Sequence, residues 1–149
     1  MSCHGVFLER TLAFAHPFNE DRALSGSEDY ELWLRIASRE VLVMGKEITS
    51  ALILHDERSV FNFDSDQLIK RKEKMISYLR HDESFMSRFG RYFHYVESGA
   101  FSYVALHLPL NRKTRNKRIY YWWRAAQNRP LFLFSRRSMV ILRQIFWGY

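Results

Sequence analysis

The chain has 149 residues, 47% hydrophobic and 16% aromatic, with only six glycines and three prolines, which is material for one ordinary folded domain and excludes a disordered or collagen-like polymer. Its formal charge is +7, and Cys3 is the only cysteine, so neither an internal disulfide nor a cysteine-based zinc site can form and a reducing compartment is expected. All 16 acidic residues lie at or before Glu97, whereas residues 98–149 carry ten basic residues and no acid, which gives an acidic first part and a basic tail. The runs Leu131-Phe132-Leu133-Phe134 and Met139-Val140-Ile141-Leu142 are cut off by arginines, far short of the roughly 20 apolar residues that span a bilayer. The first residues lack the basic and apolar segments of a signal peptide, so a cytoplasmic location is expected.

Residues 6–14 are apolar but too short for periodicity to choose between strand and helix. His16-Pro17-Phe18-Asn19-Glu20-Asp21 reads as a loop, since Pro17 restricts its predecessor and Asn19 and Asp21 favour turns. Ser25-Gly26-Ser27-Glu28 matches a capping box and predicts a helix ending near Arg39, with Leu32, Trp33, Ile36 and Ala37 on one apolar face. Val41-Leu42-Val43-Met44 and residues 48–54 are β-branched and aliphatic runs around Gly45-Lys46-Glu47, which predicts two largely buried strands joined by a turn. After a polar loop, Leu68, Ile69, Met75, Ile76 and Leu79 predict a helix over 65–80 capped by Asp64 or Ser65. Phe85, Met86, Phe89, Tyr92, Phe93 and Val96 predict another, interrupted near Gly99, resumed through Val104, Ala105 and Leu108, and stopped by Pro109. Two further helices, 111–127 and 135–147, flank the break at Asn128-Arg129-Pro130.

Glu28 and Asp29 fall in the first turn of a predicted helix, where the macrodipole favours negative charge by roughly 0.3–1 kcal/mol, so both are expected to be ionised. Phe18-Asn19-Glu20 followed by Gly26-Ser27-Glu28-Asp29-Tyr30-Glu31-Leu32-Trp33-Leu34-Arg35-Ile36-Ala37, and then His55-Asp56-Glu57-Arg58-Ser59 after the second predicted strand, resembles the acceptor-side half of family 2 glycosyltransferases of the GT-A fold. Asn19 stands where aspartate is commoner in that family. The resemblance covers about residues 5–60 and is looser over the helical remainder.

The resemblance implies that Asp29 is the general base of an inverting sugar transfer, an effect worth about 10²–10⁴ in rate, with Glu28 orienting the acceptor or the base. It also implies that His55 lies near the donor diphosphate or its metal and that Arg58 contacts phosphate through its planar fork. Trp33 and Arg35 belong to the motif, but the apolar helix face makes a structural role the better reading for both. The expected fold is α/β to mainly α: residues 1–62 an acceptor-side part with a few short strands, residues 63–149 a helical C-terminal extension. Only 26 residues precede Ser27, fewer than the about 30 that one βαβ unit takes, so the chain is expected to be a fragment without the nucleotide-binding half. Asp64-Ser65-Asp66 spells the family's metal motif but follows the base rather than preceding it, and helix capping explains it better.

The complete enzyme would use a divalent metal, Mn or Mg, a nucleotide sugar and a glycan or lipid-linked acceptor; this chain alone is expected to hold no metal. The competing expectation is a noncatalytic helical module whose tail, residues 112–149, holds an anionic membrane surface, peripheral at the inner face, or another anionic partner. On the tail's last helix the expected lipid-facing residues are Met139, Leu142 and Phe146, with Arg136, Arg137 and Arg143 around them; its rival is a packing helix that buries the same stripe. Nucleic acid is disfavoured, because the positive residues are dispersed and no helix-turn-helix, zinc or RNA-binding signature occurs. Nucleophilic catalysis has no support, since no Gly-x-Ser-x-Gly elbow or phosphate-cradling glycine loop is present.

Overall fold

The computed structural model describes residues 6–43, 45 and 64–148. Among the described residues, seven α-helices run in chain order: α1 (Arg10–Ala15), α2 (Glu28–Ala37), α3 (Ser65–His81), α4 (Glu83–Phe89), α5 (Phe93–His107), α6 (Arg112–Asn128) and α7 (Arg136–Trp147). Short 3₁₀ turns at Arg22–Leu24, Gly90–Tyr92 and Pro130–Phe134 join some of them. The described residues are 77% helical and contain no strand, so they are all-α and the expected α/β class is corrected. Val41, Leu42 and Val43 are irregular and exposed, Val41 and Val43 at 82% and 91%, which overturns the buried strand predicted there. A β-branched run becomes a strand only when a neighbour takes up its backbone hydrogen bonds, and no described residue does so. The second predicted strand, residues 48–54, lies outside the described residues.

Helices α5 and α6 form an antiparallel hairpin at the centre, built on small residues that let the backbones approach. Ala100, Ala105, Ala125 and Ala126 are buried there, and the Ser98 hydroxyl donates to the Ala125 carbonyl at 2.9 Å. The last carbonyls of a helix have no partners within it and need them from elsewhere. For α5 they come from Arg118 on α6, wholly buried, whose Nε donates to the Ala105 carbonyl at 2.9 Å and whose Nη2 donates to that of Leu108. Asn111 caps α6 by accepting from the Thr114 N–H at 3.0 Å, and Ser135 caps α7 by accepting from that of Ser138 at 3.1 Å.

Around this hairpin, α3 contributes Leu68, Met75, Ile76 and Leu79 to the core, α4 contributes Phe85, and α7 contributes Ile141 and Ile145. The buried stripe of α7 is therefore Ser138, Ile141 and Ile145, while Met139 and Phe146 point outward and Leu142 is half-buried, so the single stripe expected from the sequence is split between two faces. Helix α5 runs unbroken through Gly99, and the interruption falls instead at Gly90–Tyr92, between α4 and α5. One interior glycine costs a helix only about 1 kcal/mol, less than the buried face of α5 returns.

Residues 6–43 dock on this body through specific polar links. Asp21 accepts from the Ala23 N–H and the Tyr78 hydroxyl, each at 2.8 Å, which holds its carboxyl below the usual range. Leu24 reaches the main core from the same turn. Arg39 Nη2 donates to both carboxylate oxygens of Asp82, at 2.9 and 3.0 Å, and Asp82 also caps α4 by accepting from the Phe85 N–H. Leu32, Trp33 and Ile36 of α2 form a separate small cluster with Val6, Leu8 and Leu12. Arg35 pairs with Glu31 at 2.9 Å and donates to the Pro17 carbonyl at 2.6 Å, so Trp33 and Arg35 both serve the packing of this segment. No described helix is long and apolar enough to cross a membrane.

Two stability effects follow. Arg118→Met leaves the Ala105 and Leu108 carbonyls buried without their donor, and urea unfolding is expected to show a loss of about 2–4 kcal/mol. A Cβ added at Gly99 meets nothing within 4 Å. Gly99→Ala is therefore expected to raise stability by about 0.5–1 kcal/mol, read as a higher melting temperature.

Candidate functional site

The turn that leads into α2 is set by Gly26, at φ 86°, a left-handed conformation that a side chain would strain. Glu28 then folds back, and its Oε2 accepts from the N–H groups of Gly26 and, at 2.8 Å, Ser27. The capping box predicted at Ser25 to Glu28 is not made: Glu28 reaches back to Gly26 and Ser27 rather than to Ser25, whose own N–H donates to the Arg22 carbonyl. The residue before the helix is Ser27, and its side chain accepts no helix N–H. Its hydroxyl accepts instead from Lys72 Nζ of α3 at 2.8 Å, and α2 begins at Glu28 rather than Ser25.

Asp29 is half-buried beside this clamp; its Oδ1 accepts from the Tyr30 N–H at 2.7 Å, and it makes no other hydrogen bond among the described residues. Two cations of α3 stand close to the acidic pair. Lys72 is half-buried, with its ammonium 4.4 Å over the Tyr103 ring of α5. Its burial, then the charge of Arg71, pull its pKa down to about 8 against the attraction of Asp29. Arg71 is itself buried and lowered by that burial, with Tyr103 and Glu28 opposing. From the other side, Arg137 of α7 donates to the Ser102 hydroxyl at 3.1 Å and faces Tyr30, whose hydroxyl is pushed up chiefly by its sheltered position.

Glu28 and Asp29 are thus brought together at the start of α2, with Arg71, Lys72, Tyr103 and Arg137 around them, a group that reading the sequence did not single out. One signal was available. Arg71 occupies a core-facing slot of the α3 stripe formed by Leu68, Met75 and Leu79, where an arginine has to find a partner. His55 and Arg58 lie outside the described residues, so their geometry relative to Asp29 is not described. Asp64 precedes α3 without a side-chain cap bond, which corrects its expected capping role, and Asp66 pairs with Lys117 at 2.6 Å. No described group of three or more His, Cys, Asp or Glu side chains could hold a metal ion.

Chemically, the arrangement offers a half-open carboxylate that can accept a proton from a hydroxyl, next to cations that can hold an anionic group of the same ligand. A shallow depression between α3, α5 and α6 is a weaker candidate, because its charges are already engaged: Arg80 pairs with Glu97, Glu73 accepts from the Tyr121 hydroxyl, and Arg124 lies 4.2 Å over the Phe101 ring. Compared with family models, with curated proteins and with solved structures, the chain matches none.

The lowered Lys72 has a definite pH consequence. Below about pH 8 the amine is charged in both the folded and the unfolded chain; above it the folded amine is neutral while the unfolded one stays charged up to 10.5, so stability rises over that interval. Urea unfolding from neutral pH to just below the tyrosine range is expected to show this rise in the native chain and a flatter profile in Lys72→Met.

Proposed function

We propose that this chain is the acceptor-binding, catalytic-base portion of an inverting glycosyltransferase, which moves a sugar from a nucleotide-sugar donor to a glycan or lipid-linked acceptor. The observation that carries the reading is the Glu28-Asp29 pair at the first turn of α2, in the motif order that resembles family 2 glycosyltransferases, with Asp29 half-buried and, among the described residues, hydrogen-bonded by the N–H of its neighbour alone. In this reading Asp29 takes the proton from an acceptor hydroxyl as that oxygen bonds to the anomeric carbon. The bond from that carbon to the donor's diphosphate breaks on the opposite face, the diphosphate leaves with the electron pair, and the configuration inverts. Glu28 holds the Gly26-Ser27 turn that aims Asp29, a positioning role rather than a contact with the acceptor.

His55 and Arg58 remain assigned to the donor diphosphate by resemblance alone. A divalent cation, when bound, would neutralise the leaving diphosphate; no described donor set fits one, and no step here depends on it. The donor itself would be held by a nucleotide-binding half, a role that no described element of this chain fills.

The test joins this chain to such a half and compares Asp29→Asn with the native sequence. Turnover is expected to fall by about 10²–10⁴ with donor affinity and melting temperature little changed. Near-normal turnover, or a large loss of stability with specific activity kept, would reduce Asp29 to a helix-end residue.

A further inference from the structure

Helix α7 is apolar on more than its buried side. At 100° per residue, its buried Ser138, Ile141 and Ile145 fill one narrow sector, and Phe146, Met139, Arg143, Arg136, Trp147 and Val140 fill an outward sector of roughly 120°. The four apolar side chains of that outward sector are 62% (Met139), 46% (Val140), 64% (Phe146) and 79% (Trp147) exposed. The 3₁₀ turn before the helix adds Leu131 and Phe134, both strongly exposed. Core packing is already satisfied by the inward sector, so burial among the described residues does not account for these side chains.

We propose that this outward face docks on an anionic lipid surface, with Phe146, Trp147 and Met139 entering the headgroup and acyl boundary and Arg136 and Arg143 meeting lipid phosphates. Charge selects the occupant. Every charged residue from 98 to 149 is basic, and neither Arg136 nor Arg143 is in an ion pair among the described residues. A second copy meeting it through the same face would therefore bring like charge against like charge, whereas an acidic leaflet supplies the opposite sign together with an apolar layer. On this face the two arginines lie between bulky apolar residues, their long stems letting the guanidinium heads reach past their neighbours to the headgroups, and Trp147 stands near the helix end, where indole suits the boundary with water. A nucleic acid would satisfy the arginines but leave Met139, Val140 and Phe146 without apolar cover. This role is independent of the chemistry assigned to Asp29.

The experiment is vesicle sedimentation of the full chain, because removing α7 would also remove Ile141 and Ile145 from the core. Vesicles of phosphatidylcholine with phosphatidylglycerol are compared with phosphatidylcholine alone. Binding to the acidic vesicles only, lost at high salt, is expected. Arg136→Gln with Arg143→Gln should weaken it roughly thirtyfold, and Met139→Ser with Phe146→Ser at least tenfold, each variant keeping its helical circular dichroism and melting temperature. The blue shift of tryptophan emission on acidic vesicles should be largely lost in Trp147→Phe. Absence of vesicle binding, equal binding by folded variants, or an oligonucleotide that binds the chain while acidic vesicles do not would overturn the proposal.

Discussion

The position of one buried guanidinium, that of Arg118, decides where α5 can end and how α6 lies against it. A charge taken out of water is tolerated only with its hydrogen bonds made, and a helix end is tolerated only with its last carbonyls satisfied. Each requirement here answers the other, since the donors of Arg118 meet the carbonyls of Ala105 and Leu108. The remaining elements pack around the hairpin that this contact fixes: α3 and α4 on one flank, α7 and the Pro130–Phe134 turn on another. The stripe of small residues completes the arrangement by letting α5 and α6 meet through alanine methyls and the Ser98 hydroxyl.

The candidate site depends on this frame at one remove. Residues 6–43 bring little apolar surface to the main core beyond Leu24 and the partly buried Leu34, and polar contacts with α3 and α4 help to locate them: Asp21 with Tyr78, Ser27 with Lys72, Arg39 with Asp82. The last two have an end in a helix cap or at a helix start, so the backbone geometry of α2 and α4 is tied to the same side chains that join them. The acidic pair is consequently held at a seam, where Lys72 is drawn half out of water, rather than on a free surface.

Much of the helical frame was legible in the sequence. Apolar spacing marks α3 to within a residue, and the Asn128-Arg129-Pro130 break delimits α6 and α7 closely, because those signals are local. The strand at 41–44 was misread since β-branching describes what suits a sheet and says nothing of whether a partner exists. Gly99 was misread since the burial of a whole helix outweighs one glycine. At the site, the reach of Glu28 back to the turn is local and readable, whereas the bond between Ser27 and Lys72 joins residues 45 apart and leaves no local trace. Arg118 looked like one more cation of a basic tail, because a sequence lists residue types without their depth.

The hairpin of α5 and α6 also bears on how the chain reaches its fold. Its two helices are separated only by residues 108–111, so its contacts close with little loss of loop entropy, and the Arg118 clasp forms within that same short stretch. The contacts of Asp21, Ser27 and Arg39 reach across 43 to 57 residues to α3 and α4, and they can form only after those helices exist as a surface to receive them. Loop entropy thus favours an order of assembly that runs backward along the chain, with the tail half as the template for the segment carrying Asp29.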